Sequence, residues 1–502
     1  MPEDGEDILP VGPGGLPERR GKTPAARDGV AAVSARSRSW PTVQLPSDLG
    51  LTLGASPFLT IAFAVAVAVA FADSSIVTLA LPELYSQLHT TIVGVSWVIT
   101  GYNVVVAVGA FALLPLMRRA RPAALAAIGL VVFLGASVAA GASQNLPVLI
   151  AARCVQGAGA ALLLSGSLAV LGALAGSQRG GLAMWTVAGA VGVAMGPALG
   201  GILTEAFDWR AIFIAQAPVA ALGLVGVLSA AARRVAADTG RSRVTDALGA
   251  NLGLVCIFGS LVGALFLSVL LVVVVWELGP LAGAGVVSAL PIAALAARPL
   301  ATRLDGRLNV VAGALLLAAG LVALALLPST NAAYPTVALA ICGVGFGLAV
   351  PVLTQSSVET GEDLGRRGTI SIGARHVGLV LALVAIAPLL GTSLSSGGDR
   401  ARINATAVIL DSPVSLGTKI PIALALSSEL AKTPDGQIPD LEKPFDENGA
   451  ATDPAVRETR NDLVDAIRSA LTRSFRPAFG LAALFAVLTL VPVGLVRAGV
   501  IR

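Results

Sequence analysis

Apolar residues in this chain come in runs too long for strands. They cover about 57–82, 91–116, 123–143, 146–174, 181–205 and 210–231, then 249–276, 280–301, 308–328, 333–354, 369–391 and 476–497. A helix needs about 20 apolar residues to cross a bilayer core, so the pattern predicts an all-α membrane protein with twelve transmembrane helices in two six-helix halves. The interruptions set the domain plan. Residues 1–56 are rich in Pro, Gly, Ala and charge without apolar period, and read as a disordered tail lacking the apolar core and cleavage site of a signal peptide. Residues 57–231 form the first half, 232–248 a polar linker, 249–391 the first five helices of the second half, 392–475 a long loop, and 476–502 the last helix with a short end.

Within the fifth run, Gly189, Gly192, Gly196 and Gly200 are spaced for one helix face. A face without side chains lets a neighbouring helix approach closely. Pro197 removes one backbone hydrogen bond and can bend the helix. Gly192, Gly196, Pro197, Gly200 and Gly201 therefore read either as a packing face or as a conformational hinge.

Composition agrees with the pattern. The chain is 55% hydrophobic and 13% charged, with a mean hydropathy of +0.83, which excludes an ordinary soluble domain. Its 3 cysteines lie far apart in apolar runs, so neither a disulfide framework nor a metal site is expected. Charge location orients the chain. With the N-terminus inside, Arg118, Arg119, Arg121, Arg179, Arg233, Arg234, Arg241, Arg243, Arg298, Arg303, Arg307, Arg366 and Arg367 fall in inner loops, whereas the short outer loops offer little beyond Arg210. The positive-inside rule then places both termini in the cytoplasm of a cell that holds the protein in its inner (plasma) membrane.

The 392–475 segment breaks the pattern of short connections. Ala405 to Leu410 reads as a short strand, Leu416 to Ala431 as an amphipathic helix, Pro434 to Gly449 as acidic turns, and Asp453 to Ser474 as a charged helix. Together they suggest a small, partly folded extracytoplasmic cap, the alternative being a mobile insertion, with room for a partner.

Charges inside membrane helices are expensive and mark function by default. Asp73 lies in the first run and Arg153 in the fourth. At 1.5 Å per residue they lie roughly 12 Å and 10 Å from the same end of their helices, so they can pair. The pair is either a static clamp or a proton switch, in which withdrawal of the arginine lets the aspartate take a proton. Gln156, one turn from Arg153, can help satisfy the guanidinium. In the eleventh run Arg375 and His376 are adjacent. Arg375 either snorkels to the cytoplasmic surface, binds anionic groups or holds the inner gate, and His376 either packs as a satisfied histidine or titrates. Tyr102, Asn103, Trp185, Asn251 and Gln355 are further candidates for a substrate cavity or for helix packing. Trp97 and Trp209 read as interfacial anchors. No phosphate-binding glycine loop, metal-binding His–Glu helix or nucleophile elbow occurs, so an enzyme and a cofactor are not expected, and no nucleic-acid partner is indicated.

These residues resemble the major facilitator superfamily, specifically its drug:proton antiporter branches. Asp73 through Leu81-Pro82, Trp97-Val-Ile-Thr-Gly-Tyr102, Arg153-Cys-Val-Gln-Gly157, Gly192-Val-Ala-Met-Gly-Pro-Ala-Leu-Gly-Gly201 and Asp208-Trp-Arg-Ala-Ile-Phe213 are similar to that group's signatures in its first, second, fourth, fifth and sixth helices. The family's inner-loop motif normally carries an Asp. Here the first copy reads Leu114-Pro-Leu-Met-Arg-Arg-Ala-Arg121, and Thr302 stands where the second copy expects it. Arg118, Arg119, Arg303 and Arg307 are left as inner-gate candidates.

The resemblance implies the major facilitator fold and alternating access, with Asp73 and Arg153 coupling protons to efflux of a small apolar or amphipathic substrate by a monomer in the bilayer. Two rivals remain on the same fold: an exporter of lipids or envelope components, and a transporter-derived scaffold or sensor that moves nothing.

Overall fold

In a computed structural model the described residues are 56–237, 242–358, 363–411, 414–432, 445 and 454–497. Among them are twelve helices long and apolar enough to cross a membrane. The first six are α1 (Pro57–Thr78), α2 (Ile92–Ala112), α3 (Pro122–Gly141), α4 (Leu146–Leu174), α5 (Gln178–Ala206) and α6 (Trp209–Val227). The second six are α7 (Leu248–Val275), α8 (Pro280–Ala301), α9 (Gly306–Ala325), α10 (Ala333–Val358), α11 (Leu364–Asp411) and α12 (Arg476–Leu488, continued by Leu490–Arg497).

Local chemistry sets where these helices begin. Side chains of Thr91, Asn145, Ser177, Asp208 and Asp305 accept the first free N–H groups of α2, α4, α5, α6 and α9, which water cannot reach easily at a bilayer edge. Proline opens α1, α3 and α8, where its missing N–H costs nothing. Gly176 turns the chain between α4 and α5 at φ 73, a left-handed conformation that suits a residue without a side chain.

Between helices, small residues do the packing. A Cβ on Gly159 would come 2.6 Å from the Phe133 nitrogen and 2.8 Å from the Gly129 oxygen, so α3 and α4 touch backbone to backbone. The same arrangement recurs between α9 and α10, where a Cβ on Gly313 would lie 2.6 Å from the Gly345 oxygen. The third and fourth helices of each half thus share one kind of seam, as two related six-helix units would. Large apolar side chains such as Ile128, Val131, Leu315 and Val384 face outward, as expected where the surrounding solvent is hydrocarbon.

The glycine face of α5 packs on α1. A Cβ on Gly192 would collide with the Ala68 oxygen, one on Gly196 with the Ser75 hydroxyl, and one on Gly200 with the Ile76 oxygen. Gly201 points the other way, against Pro280 and Ala284 of α8. Pro197 lies within a helix that continues on both sides of it.

Two expectations are corrected. Ala405 to Leu410 is not a strand, because α11 runs on as one helix to Asp411. Its 48 residues would extend roughly 72 Å, well beyond a hydrocarbon core of about 30 Å. Trp209 is fully buried, not an interfacial anchor. Its Nε1 donates to Gln87 at 3.0 Å and its ring meets Phe213 edge-on, so the hydrogen bond satisfies its polar atom inside the protein.

The expected helices at 416–431 and 453–474 are present as Leu416–Lys432 and Pro454–Ser474. The latter packs against α11 and is tied to the end of α7, where Trp276 donates to Thr472 at 2.9 Å and Arg468 pairs with Glu277. The tail at 1–55, and Pro434 to Gly449 apart from buried Phe445, lie outside the described residues.

The backbone seams make a direct test. Gly159→Val should lower stability by about 1–3 kcal/mol through overpacking, whereas Gly135→Ala, whose Cβ meets nothing within 4 Å, should be neutral or slightly stabilising. Thermal melting of the purified protein compares the two; equal behaviour would refute the close seam.

Candidate functional site

Asp73 on α1 and Arg153 on α4 are both completely buried, at 0% exposure, and they meet. Arg153 Nη1 donates to Asp73 Oδ1 at 2.9 Å and Nη2 donates to Oδ2 at 2.5 Å, a two-pronged pair. Two further donors are also used. Arg153 Nε donates to the Val98 carbonyl of α2 at 3.0 Å, and Nη1 also reaches Gln156 Oε1 at 2.6 Å. Gln156 in turn donates to Ser137 of α3 at 2.9 Å and to Gln216 of α6 at 2.8 Å. The Tyr102 ring covers the guanidinium with its centroid 4.4 Å from Cζ, while its hydroxyl donates to Ala70 at 3.1 Å. Five helices of one half are thereby joined around one cation.

A cavity lies beside this cluster, between the halves. Its walls come from α1, α5, α7, α8, α10 and α11, and its volume is about 150 Å³. Most of the wall is apolar, with Phe71, Trp185, Phe258 and Phe346 as its large rings. Asp73 is behind the wall, and its neighbour Ser74 is on it. Ser74 exchanges hydrogen bonds with Asn103 of α2, and Asn103 Oδ1 lies 2.7 Å from Nδ1 of His376 on α11. Because the amide oxygen can only accept, Nδ1 carries the proton in this contact. A polar chain therefore runs from the residue next to Asp73 into the other half.

The sequence-derived candidates separate accordingly. Trp185, Arg375 and His376 line the cavity. Tyr102, Asn103 and Gln156 are buried behind it in the polar network. Asn251 accepts from Ser357 at 2.7 Å and joins α7 to α10, while half-buried Gln355 lies off the lining.

Arg375 does not snorkel. It is 8% exposed, its Cζ lies 5.8, 5.1 and 5.3 Å from the ring centroids of Phe71, Trp185 and Phe258, and Nη2 donates to Thr354 at 2.8 Å. The eleventh helix begins at Leu364, so Arg375 lies roughly 16 Å along it, too deep for the side chain to reach water over the end. Ser74 and Thr354 were missed by reading the chain. Small hydroxyl residues are common in membrane helices, and nothing in one sequence marks these two.

At the arginine-bearing end, Arg118, Arg119 and Arg303 are exposed and Arg307 is half-buried; among the described residues none forms an ion pair. The halves are joined there by Arg366 at the start of α11. Its Nη1 donates to the Leu114 carbonyl at the end of α2 at 2.6 Å, and its Nε donates to the Ser242 carbonyl of the linker at 2.6 Å. Asp363 accepts from the Ser242 nitrogen at 2.8 Å and from its hydroxyl at 2.9 Å, and Thr369 donates to the Met117 sulfur at 3.3 Å. At the opposite end, beyond α1, the Glu83 carboxyl is shifted above its ordinary value, chiefly by burial and further by nearby Asp208.

Residues 63–396 match the family description Major Facilitator Superfamily. The chain is 31% identical over 188 residues to a methylenomycin A resistance protein of Bacillus subtilis, covering 37% of this chain and 40% of that protein. It is 33% identical over 213 residues to a lincomycin resistance protein of Streptomyces lincolnensis, covering 41% and 39%. The chain thus spans under half the length of these curated relatives. Among solved structures, a bacterial homologue of the human lysosomal transporter Spinster, inward-facing and unoccupied, superposes with a TM-score of 0.58 at 12% identity, covering 88% of this chain and 98% of that one. At that identity the likeness concerns the fold.

The network around Arg153 predicts a cost for removing its organiser. Gln156→Leu leaves Ser137 and Gln216 short of a partner and should destabilise the protein by about 1–2 kcal/mol, measured as a lower melting temperature in detergent. An unchanged melting temperature would mean that the amide contributes nothing to stability.

Proposed function

Because the chain belongs to the major facilitator superfamily, which places it among transporters and not enzymes, we propose that it expels apolar or amphipathic compounds in exchange for protons, by alternating access. One observation carries this reading: a carboxylate–guanidinium pair, fully buried, directly behind the wall of a largely apolar cavity between the halves. A charged pair is costly there unless its geometry is excellent, and its disruption is correspondingly large in effect. The drug-resistance names of the relatives support the same direction.

In this mechanism a proton arriving at Asp73 removes its charge, so the salt bridge to Arg153 loses most of its attraction. Arg153 keeps its bonds to Val98 and Gln156, and α1 is released from α4. Ser74 moves with Asp73, and the chain through Asn103 to His376 carries the shift into the second half. The close seam of α1 on Gly192, Gly196 and Gly200 of α5 makes those two helices move as a unit, with Pro197 as the point of flexure and Gly201 as the contact on α8. The arginine-bearing end faces the cytoplasm by the positive-inside rule. Release of Arg366 from Leu114, with the arginines of the two loops, Arg118, Arg119, Arg303 and Arg307, accompanies its opening.

The charge-poor walls suit an apolar body and offer little to sugars, which need several polar partners. Asp73→Asn keeps the shape but cannot ionise. Proton-gradient-driven uptake of a hydrophobic dye into inverted vesicles should fall to the level of vesicles without the protein, while dye binding persists. Undiminished gradient-driven uptake would remove Asp73 from the role of proton carrier.

A further inference from the structure

The cavity has an uneven charge balance. Arg375 and Arg298 are on its wall, and no Asp or Glu is among its described lining residues. The nearby Asp73 is fully engaged with Arg153. Arg375 therefore has no counter-ion among the described residues. Its described partners are a neutral hydroxyl, Thr354, and the faces of three aromatic rings, and its Nε is buried without a hydrogen-bond partner.

Aromatic faces attract a cation but accept few of its hydrogen bonds. A guanidinium carries five N–H donors in one plane, and here most remain unmatched. A buried, incompletely paired charge destabilises a folded protein. The group that would remedy this is an oxyanion, which takes two parallel N–H bonds from one arginine. The rings of Phe71, Trp185 and Phe258 surround the same spot with apolar surface, so the head of an occupant would be anionic and the body beside it hydrophobic.

We propose that this cavity receives amphipathic organic anions, an apolar body bearing a carboxylate, phosphate or sulfonate, with Arg375 holding the acidic head. This deepens the efflux reading by giving its substrate a charge, and rests on that reading only for transport, not for binding. Arg298, at the far end of α8 on the same wall, adds positive potential along the approach. Cationic compounds with the same body are disfavoured, because they would bring a second unpaired positive charge to Arg375.

The full-length protein in lipid nanodiscs tests this with two probes of matched body, 1-pyrenebutyrate and pyrenebutyl-trimethylammonium. Energy transfer from tryptophan to pyrene reports binding, Trp185 being next to the site, and empty nanodiscs correct for partition into lipid. The anion should bind about tenfold or more tighter than the cation, the size expected of a charge-assisted two-pronged contact. Arg375→Met should abolish that preference and melt at a higher temperature than the unliganded native protein, since it removes an unpaired buried charge. Arg375→Lys should keep the preference with weaker binding.

Equal affinity for the two probes would overturn the proposal. So would an Arg375→Met variant that binds the anion undiminished, or one that is less stable than the native protein, which would make the arginine a structural post. Inorganic phosphate competing as well as pyrenebutyrate would reduce the site to one for bare anions and overturn the amphiphile. Transport of both probes under a proton gradient is followed in parallel in vesicles. Anion binding without transport sinks the efflux reading and leaves the anion site standing, whereas gradient-driven transport of the cation alone does the reverse.

Discussion

Positive charge in hydrocarbon is the constraint on which this bundle turns. Arg153 and Arg375 are both buried deep in membrane helices, and the protein treats them in opposite ways. Arg153 has every kind of help available: a carboxylate, an amide oxygen, a backbone carbonyl and the face of Tyr102. Satisfying it draws α1, α2, α3, α4 and α6 together, so the geometry of the first half follows from one guanidinium. Arg375 has a hydroxyl and three ring faces. The first arrangement is closed chemistry and the second is open chemistry, and the open one faces the cavity.

Much of the architecture was legible in the chain because its causes are local or periodic. Twelve apolar runs became twelve helices. The glycines of α5 could be assigned to one face by spacing alone, although the identity of the opposing helix could not. Asp73 and Arg153 could be set at equal depth by counting, and they meet. What escaped were matters of partner and side. Trp209 looks like an interfacial tryptophan in sequence, and only the presence of Gln87 beside it makes burial affordable. Ala405 to Leu410 has strand-like composition, yet it continues a helix already propagating from Leu364, and continuation is cheaper than a new nucleus. Arg375 was ambiguous because snorkelling depends on where a helix begins, and α11 begins within the basic cluster that was taken for its loop.

The two halves share their α3–α4 and α9–α10 seams but not their polar interiors. The first half contains a dense hydrogen-bonded network around an ion pair, while the second contributes one incompletely paired arginine and one histidine to the common wall. The Ser74–Asn103–His376 chain joins these two regimes. In the proposed mechanism, asymmetric interiors on a repeated frame would let one half respond to a proton and the other read the occupant, without either site having to change its scaffold.

The contact of Arg366 with Leu114 has a further consequence. Its acceptor is a main-chain carbonyl, which every residue type possesses. Replacing Leu114 leaves that oxygen in place, so the acceptor side is invisible to side-chain mutagenesis and free to drift in sequence, while all of the chemical identity of the contact resides in Arg366. A join of this kind can persist after the acidic residue of a loop motif has been lost, and a search for conserved charge pairs would pass over it.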